Sequence, residues 1–66
     1  NSLSDAGVGA LCARTAVIGA YFNVRINAKD IKDRAFAEKI LSDAKSVYQN
    51  AIIKEQEIIS FIDSKM

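Results

Sequence analysis

The 66-residue chain has no His, no Pro and no Trp, and it carries one Cys and three Gly. Without His it lacks the one side chain that ordinarily changes charge near neutral pH, and the commonest metal ligand with it. A lone Cys12 can form neither a disulfide framework nor a Cys-based zinc site within one chain. Set among Gly and Ala, Cys12 reads as a small buried hydrophobe rather than a nucleophile. No Gly-rich phosphate loop, internal repeat, low-complexity tract or Gly/Ser linker occurs. The charges nearly cancel, nine basic against eight acidic. That balance gives no basic patch for nucleic acid and no polybasic segment for a membrane surface. No basic region precedes the first apolar stretch, so a signal peptide is not expected and the cytoplasm is the default compartment.

What the chain does have is apolar content, half of its residues, with no proline to interrupt it. Ser4 and Asp5 are suitable N-cap residues, and a helix is expected over about 4–26. Between Ala6 and Ile26 the only charges are Arg14 and Arg25, and a helix apolar nearly all round belongs in an interior. At about 100° per residue, Asp5, Gly9, Cys12, Ala16, Gly19 and Asn23 fall on one line. Such a small-residue stripe admits either another backbone at close range or a flat ligand with Asp5 at the mouth of its pocket. On the far face lie Arg14, Ile18, Tyr21 and Arg25, the two guanidiniums needing carboxylate or phosphate partners. A transmembrane role is disfavoured, because Ala6–Phe22 only just reaches the ~30 Å of hydrocarbon and Arg14 lies near its middle.

A connection is expected over about 27–33, where Asp30 and Asp33 are both plausible caps, and then a second helix over about 33–64. Ala37, Leu41, Ala44, Tyr48, Ala51, Glu55, Ile58 and Ile62 alternate steps of four and three, a heptad seam with one polar interruption at Glu55. Phe36, Ile40 and Val47 widen it, and Ile52, Ile53, Ile59 and Phe61 make the distal half apolar on several sides. The expected fold is therefore all-α: a long two-helix hairpin, part of a helical bundle. Two helices cannot bury this much apolar surface on each other, so other copies or missing upstream helices complete the bundle. The chain opens on the polar cluster NSLSD without an initiator Met, as a C-terminal piece of a longer protein would.

The only constellation with chemical character is Asn1, Ser4 and Asp5 at the head of the first helix and Asn23 and Asn27 at its tail. Asp5 and Asn23 are about 27 Å apart along one helix, so a second copy or another part of a longer chain must bring such ends together. These residues also carry a family resemblance. Asn1, Ser4-Asp5, Ala10-Leu11, Ala13-Arg14, Gly19-Ala20 and Asn23-Val24-Arg25-Ile26-Asn27 occur in the order found in the C-terminal part of the formiminotransferase-cyclodeaminase family. The match covers the first half of the chain closely, and the second helix agrees in character.

The resemblance implies an all-helical domain of a folate one-carbon enzyme. Its substrate is a tetrahydrofolate derivative, with no metal. The reaction is either closure of 5-formimidoyltetrahydrofolate to 5,10-methenyltetrahydrofolate with loss of ammonia, a lyase step, or hydrolysis of methenyltetrahydrofolate. In that setting Asp5 is the expected catalytic residue, either holding the pterin N–H array or moving a proton as ammonia leaves or water attacks. Asn1, Ser4, Arg14, Asn23 and Asn27 are the expected substrate-binding residues, with an inter-helix ion pair as the competing role for Arg14. A homo-oligomer is expected, and neither nucleic acid nor membrane as partner. The rival reading is a non-enzymatic oligomerisation module, a hairpin that dimerises through the Ala/Gly stripe and the heptad seam.

Overall fold

The computed structural model describes residues 2–66, so Asn1 lies outside the described residues. Two helices make up the fold, α1 (Ser2–Ala28) and α2 (Arg34–Lys65), antiparallel and packed along their length into a rod of 50 × 14 × 10 Å. The all-α hairpin is as the composition requires. α1 begins at Ser2 rather than near Ser4, so Ser4 and Asp5 lie inside its first turns and neither is a cap. Asp5 there still complements the positive end of the helix dipole.

The connection is short and fully specified. Asn27 and Ala28 carbonyls accept from the amides of Asp30 and Ile31, each at 3.2 Å. Of the two candidate caps, Asp33 takes the role: its backbone is extended and its Oδ1 accepts from the Phe36 amide at 3.1 Å. Arg34 then reaches back, its Nη1 donating to the carbonyls of Ala28 at 3.0 Å and Ile31 at 2.8 Å, which ties the start of α2 to the last residue of α1 and to the connection. Asp33→Ala is expected to cost about 1 kcal/mol. A domain of this size should then melt about 4–8 °C lower, which thermal unfolding followed by circular dichroism would show.

On α2 the seam faces α1 as the spacing requires. Ala37 and Ile62 are buried, Leu41, Ala44, Tyr48, Ala51 and Glu55 are half-buried, and only Ile58 reaches the exposed range. On α1 the answering face is Leu3, Gly7, Ala10, Arg14, Val17, Tyr21, Val24 and Ala28, every one buried or half-buried and again in steps of four and three. This is the Arg14–Tyr21 side of the helix. The small-residue stripe from Asp5 to Asn23 is exposed throughout. Within the hairpin, therefore, close packing does not use the stripe.

Three cross-helix contacts mark the register, spaced seven residues apart on both helices. A Cβ placed on Gly7 would lie 3.4 Å from Ile62 Cδ1. Arg14 Nε is 3.4 Å from Glu55 Oε1. Tyr21 stacks on Tyr48 with ring centroids 4.9 Å apart.

The hairpin leaves much apolar surface open. Its accessible area is 4974 Å², against about 4,100 Å² for a compact monomer of this mass. Val8, Leu11, Phe22 and Ile26 on α1 and Phe36, Val47, Ile53 and Phe61 on α2 are each about half exposed or more. α1 is not interior in the hairpin alone: Ala10 and Ala28 are its only buried residues among those described. By length and composition α1 could cross a membrane. Beside the middle of α1, α2 carries Lys54 and Glu57, both largely exposed, and a charge at the centre of a bilayer costs about 2.5–3.5 kcal/mol.

Candidate functional site

α1 places its polar residues by periodicity. With Leu3, Gly7, Ala10 and Arg14 held against α2, the residues about 150° away must face outward, and these are Asp5, Gly9, Cys12, Ala16, Gly19 and Asn23. The stripe is flat as well as exposed. A Cβ added to Gly9 or Gly19 would meet nothing within 4 Å, so the backbone there is open to whatever approaches. Cys12 is exposed and free, contrary to the expectation that it is buried, because α2 packs on the opposite face of the helix. Leu11, Cys12, Thr15 and Ala16 line a shallow apolar groove along one edge of the stripe. Thr15 does not offer its hydroxyl as a donor there, because Oγ1 donates to the Leu11 carbonyl at 3.0 Å.

The expected site residues divide into two groups. Ser4, Asp5, Asn23 and Asn27 are all exposed on α1, on surface that the hairpin leaves uncovered. Asp5 and Asn23 remain the full length of the stripe apart and the hairpin does not bring them together. Arg14 turns the other way, into the seam. Its partner is Glu55, the polar interruption in the α2 heptads, with side-chain exposures of 39% and 14% respectively. The arrangement realises the inter-helix ion pair and points Arg14 away from the stripe. Arg25 finds an aromatic face instead of a carboxylate, its guanidinium carbon lying 5.6 Å from the Tyr21 ring centre.

A second open groove sits at the tail of α1, about 340 Å³, lined by Phe22, Arg25, Ile26 and Lys29. On the opposite flank Val17, Ala20, Tyr21 and Val24 meet Ala44 and Val47 in a largely apolar trough. Among the described residues no three His, Cys, Asp or Glu side chains cluster as metal ligands would. What the arrangement offers chemically is one exposed carboxylate at the head of an unobstructed helix face. Exposed amides stand at the tail of that face.

The inter-helix ion pair expected for Arg14 takes Glu55 as its partner, and the Tyr21–Tyr48 stack is a contact the sequence did not predict. The signal for the first was in the sequence: opposite charges, each at a seam position of its own helix. The stack had a weaker signal, one Tyr on each seam.

Comparison with known proteins gives a consistent answer. A family model described as formiminotransferase-cyclodeaminase matches residues 1–46. The chain is 38% identical over 66 residues to the methenyltetrahydrofolate cyclohydrolase of Methylorubrum extorquens, an alignment covering all of this chain and 32% of that protein. It is 38% identical over 63 residues to the formimidoyltransferase-cyclodeaminase of Rattus norvegicus, covering 96% of this chain and 12% of that protein. With the corresponding protein of Gallus gallus it shares 61% identity over 33 residues, 50% of this chain and 6% of that protein. The chain thus spans about a third of the cyclohydrolase and about an eighth of the rat protein. No solved structure matches it.

Proposed function

This chain belongs to the formiminotransferase-cyclodeaminase family, and from that premise we propose that it supplies one helical wall of a folate one-carbon enzyme. The observation that carries the proposal is that the matched residues 1–46 contain the whole outward stripe of α1, with Asp5 at one end and Asn23 and Asn27 at the other. α2 covers the other face. A flat, largely apolar strip with hydrogen-bonding groups at its ends suits a pterin with a long tail, and other helices or a second copy supply the remaining walls.

In this reading the complete protein works in the cytoplasm as a homo-oligomer on a tetrahydrofolate derivative. It either closes the formimidoyl group onto the neighbouring folate nitrogen and releases ammonia, or adds water to the methenyl bridge. Asp5 holds the pterin N–H array or carries the proton that the departing ammonia or attacking water requires. Asn1, Ser4, Asn23 and Asn27 complete the polar contacts. Arg14 supports the wall from behind through Glu55. Assaying ammonia release from 5-formimidoyltetrahydrofolate beside hydrolysis of methenyltetrahydrofolate, on the complete protein, tests the proposal and separates the two reactions. Absence of both activities would contradict it.

The rival oligomerisation module is favoured by one observation, the apolar residues exposed on both flanks of the hairpin. Gly9→Leu and Gly19→Leu distinguish the two. Leucine is a better helix former than glycine by up to about 1 kcal/mol, and the hairpin has room at both positions. If the stripe lines a folate site, the complete protein keeps its melting temperature while KM rises roughly tenfold or more. If the stripe is a close helix contact, the same substitutions destabilise by about 1–3 kcal/mol instead.

A further inference from the structure

We propose that the Arg14–Glu55 pair is the register key of the hairpin, a positioning device that selects one alignment of α1 on α2 and adds little to its strength. The two seams repeat every seven residues and are built mainly from Ala, Val, Leu and Ile. A slip of one heptad keeps apolar side chains opposite apolar ones at the Ala, Val, Leu and Ile levels, with loss of the Tyr21–Tyr48 stack and of the fit of Ile62 over Gly7. It does not do so at the charged level. After such a slip Arg14 would face Tyr48 or Ile62, and Glu55 would face Gly7 or Tyr21, leaving both charges in an apolar seam without a partner.

The geometry of the pair is that of a selector. The Nε–Oε1 separation is 3.4 Å, longer than the roughly 2.7–2.9 Å of a strong charge-assisted hydrogen bond. Arg14 Nε makes no aligned hydrogen bond, and Glu55 Oε2 is buried without one. A partly buried pair with unsatisfied atoms gains little over well-packed apolar residues, while the mispaired alternatives strand two charges. A single polar level within a repeating apolar seam is the best-attested way for buried polar groups to fix register. The consequence for the outward face is direct. Register determines which part of α2's exposed apolar flank, Phe36, Val47 and Phe61, stands beside which part of the α1 stripe.

The test is a distance measurement between spin labels in the complete protein, with Cys12 and Ser42→Cys as the only labelled sites. Both positions are exposed, and in the observed register they are offset by about 22 Å along the helix axis. A one-heptad slip changes that offset by about 10 Å. Three proteins are compared: the labelled parent, the exchanged pair Arg14→Glu with Glu55→Arg, and the apolar pair Arg14→Met with Glu55→Leu. The proposal expects one distance for the parent and for the exchanged pair, and a second population displaced by about 10 Å for the apolar pair, with helix content retained in all three. A single parental distance in the apolar pair would overturn it. So would unfolding of the apolar pair, which would make the contact a source of stability, and loss of the single register in the exchanged pair.

Discussion

Asp5→Asn in the complete protein is expected to lower turnover of the folate substrate by about 10²–10⁴-fold, the range that a positioned acid–base group contributes. The substitution keeps the shape of the side chain and removes its charge and its capacity to carry a proton. Asp5 is exposed in the first turn of α1, on the face away from α2. Loss of its charge therefore disturbs only a favourable term at the helix N-terminus, worth about 0.3–1 kcal/mol. Far-UV circular dichroism should be unchanged and the melting temperature should fall by a few degrees at most. The pattern of kinetic loss also carries information. A fall in kcat with KM held marks an interaction made in the transition state, whereas a rise in KM alone marks Asp5 as a holder of the pterin. Unchanged kinetics would remove Asp5 from the site.

The largest expected effect on stability is that of Arg14→Met, and it is not symmetrical with that of its partner. Breaking a fully buried ion pair from one side costs about 3–5 kcal/mol, because the remaining charge is stranded. Glu55 is the deeper member, with 14% of its side chain exposed against 39% for Arg14. Removing Arg14 leaves the carboxylate in the seam, at an expected cost of about 2–3 kcal/mol after allowance for partial exposure. Removing Glu55 leaves a long guanidinium side chain that can swing to solvent, at about 1 kcal/mol. Urea unfolding of Arg14→Met and Glu55→Leu side by side measures the difference. Equal losses would mean that the two side chains share one environment.

The parts of the fold legible in the sequence are those where polar residues mark the outside. α2 has a solvated face, so its heptad seam stands out. Asp33 could be recognised as a cap because a polar connection precedes it and an apolar run follows. α1 gives no such guidance. It is apolar on all sides, so periodicity yields two candidate seams, the small-residue stripe and the line from Leu3 to Ala28. Small residues favour the first, but the large side chains of α2 fill the second. Tyr48 needs Tyr21 to stack on and Ile62 needs the space above Gly7, so α1 turns its stripe outward. Cys12 is exposed for the same reason. The candidate site was legible as a set of residues and not as a geometry, since its two ends lie on one straight helix and the walls that would join them belong to other helices.

Calorimetric titration of the complete protein with tetrahydrofolate, in wild-type form and as Asp5→Asn, tests the central claim most directly, because binding requires no knowledge of which reaction follows. The account predicts saturable binding by the wild type, weakened by Asp5→Asn if Asp5 holds the pterin and retained if Asp5 only moves a proton, with the same helix content in both. Failure of the folded wild-type protein to bind would contradict the folate reading and leave the hairpin as an oligomerisation module.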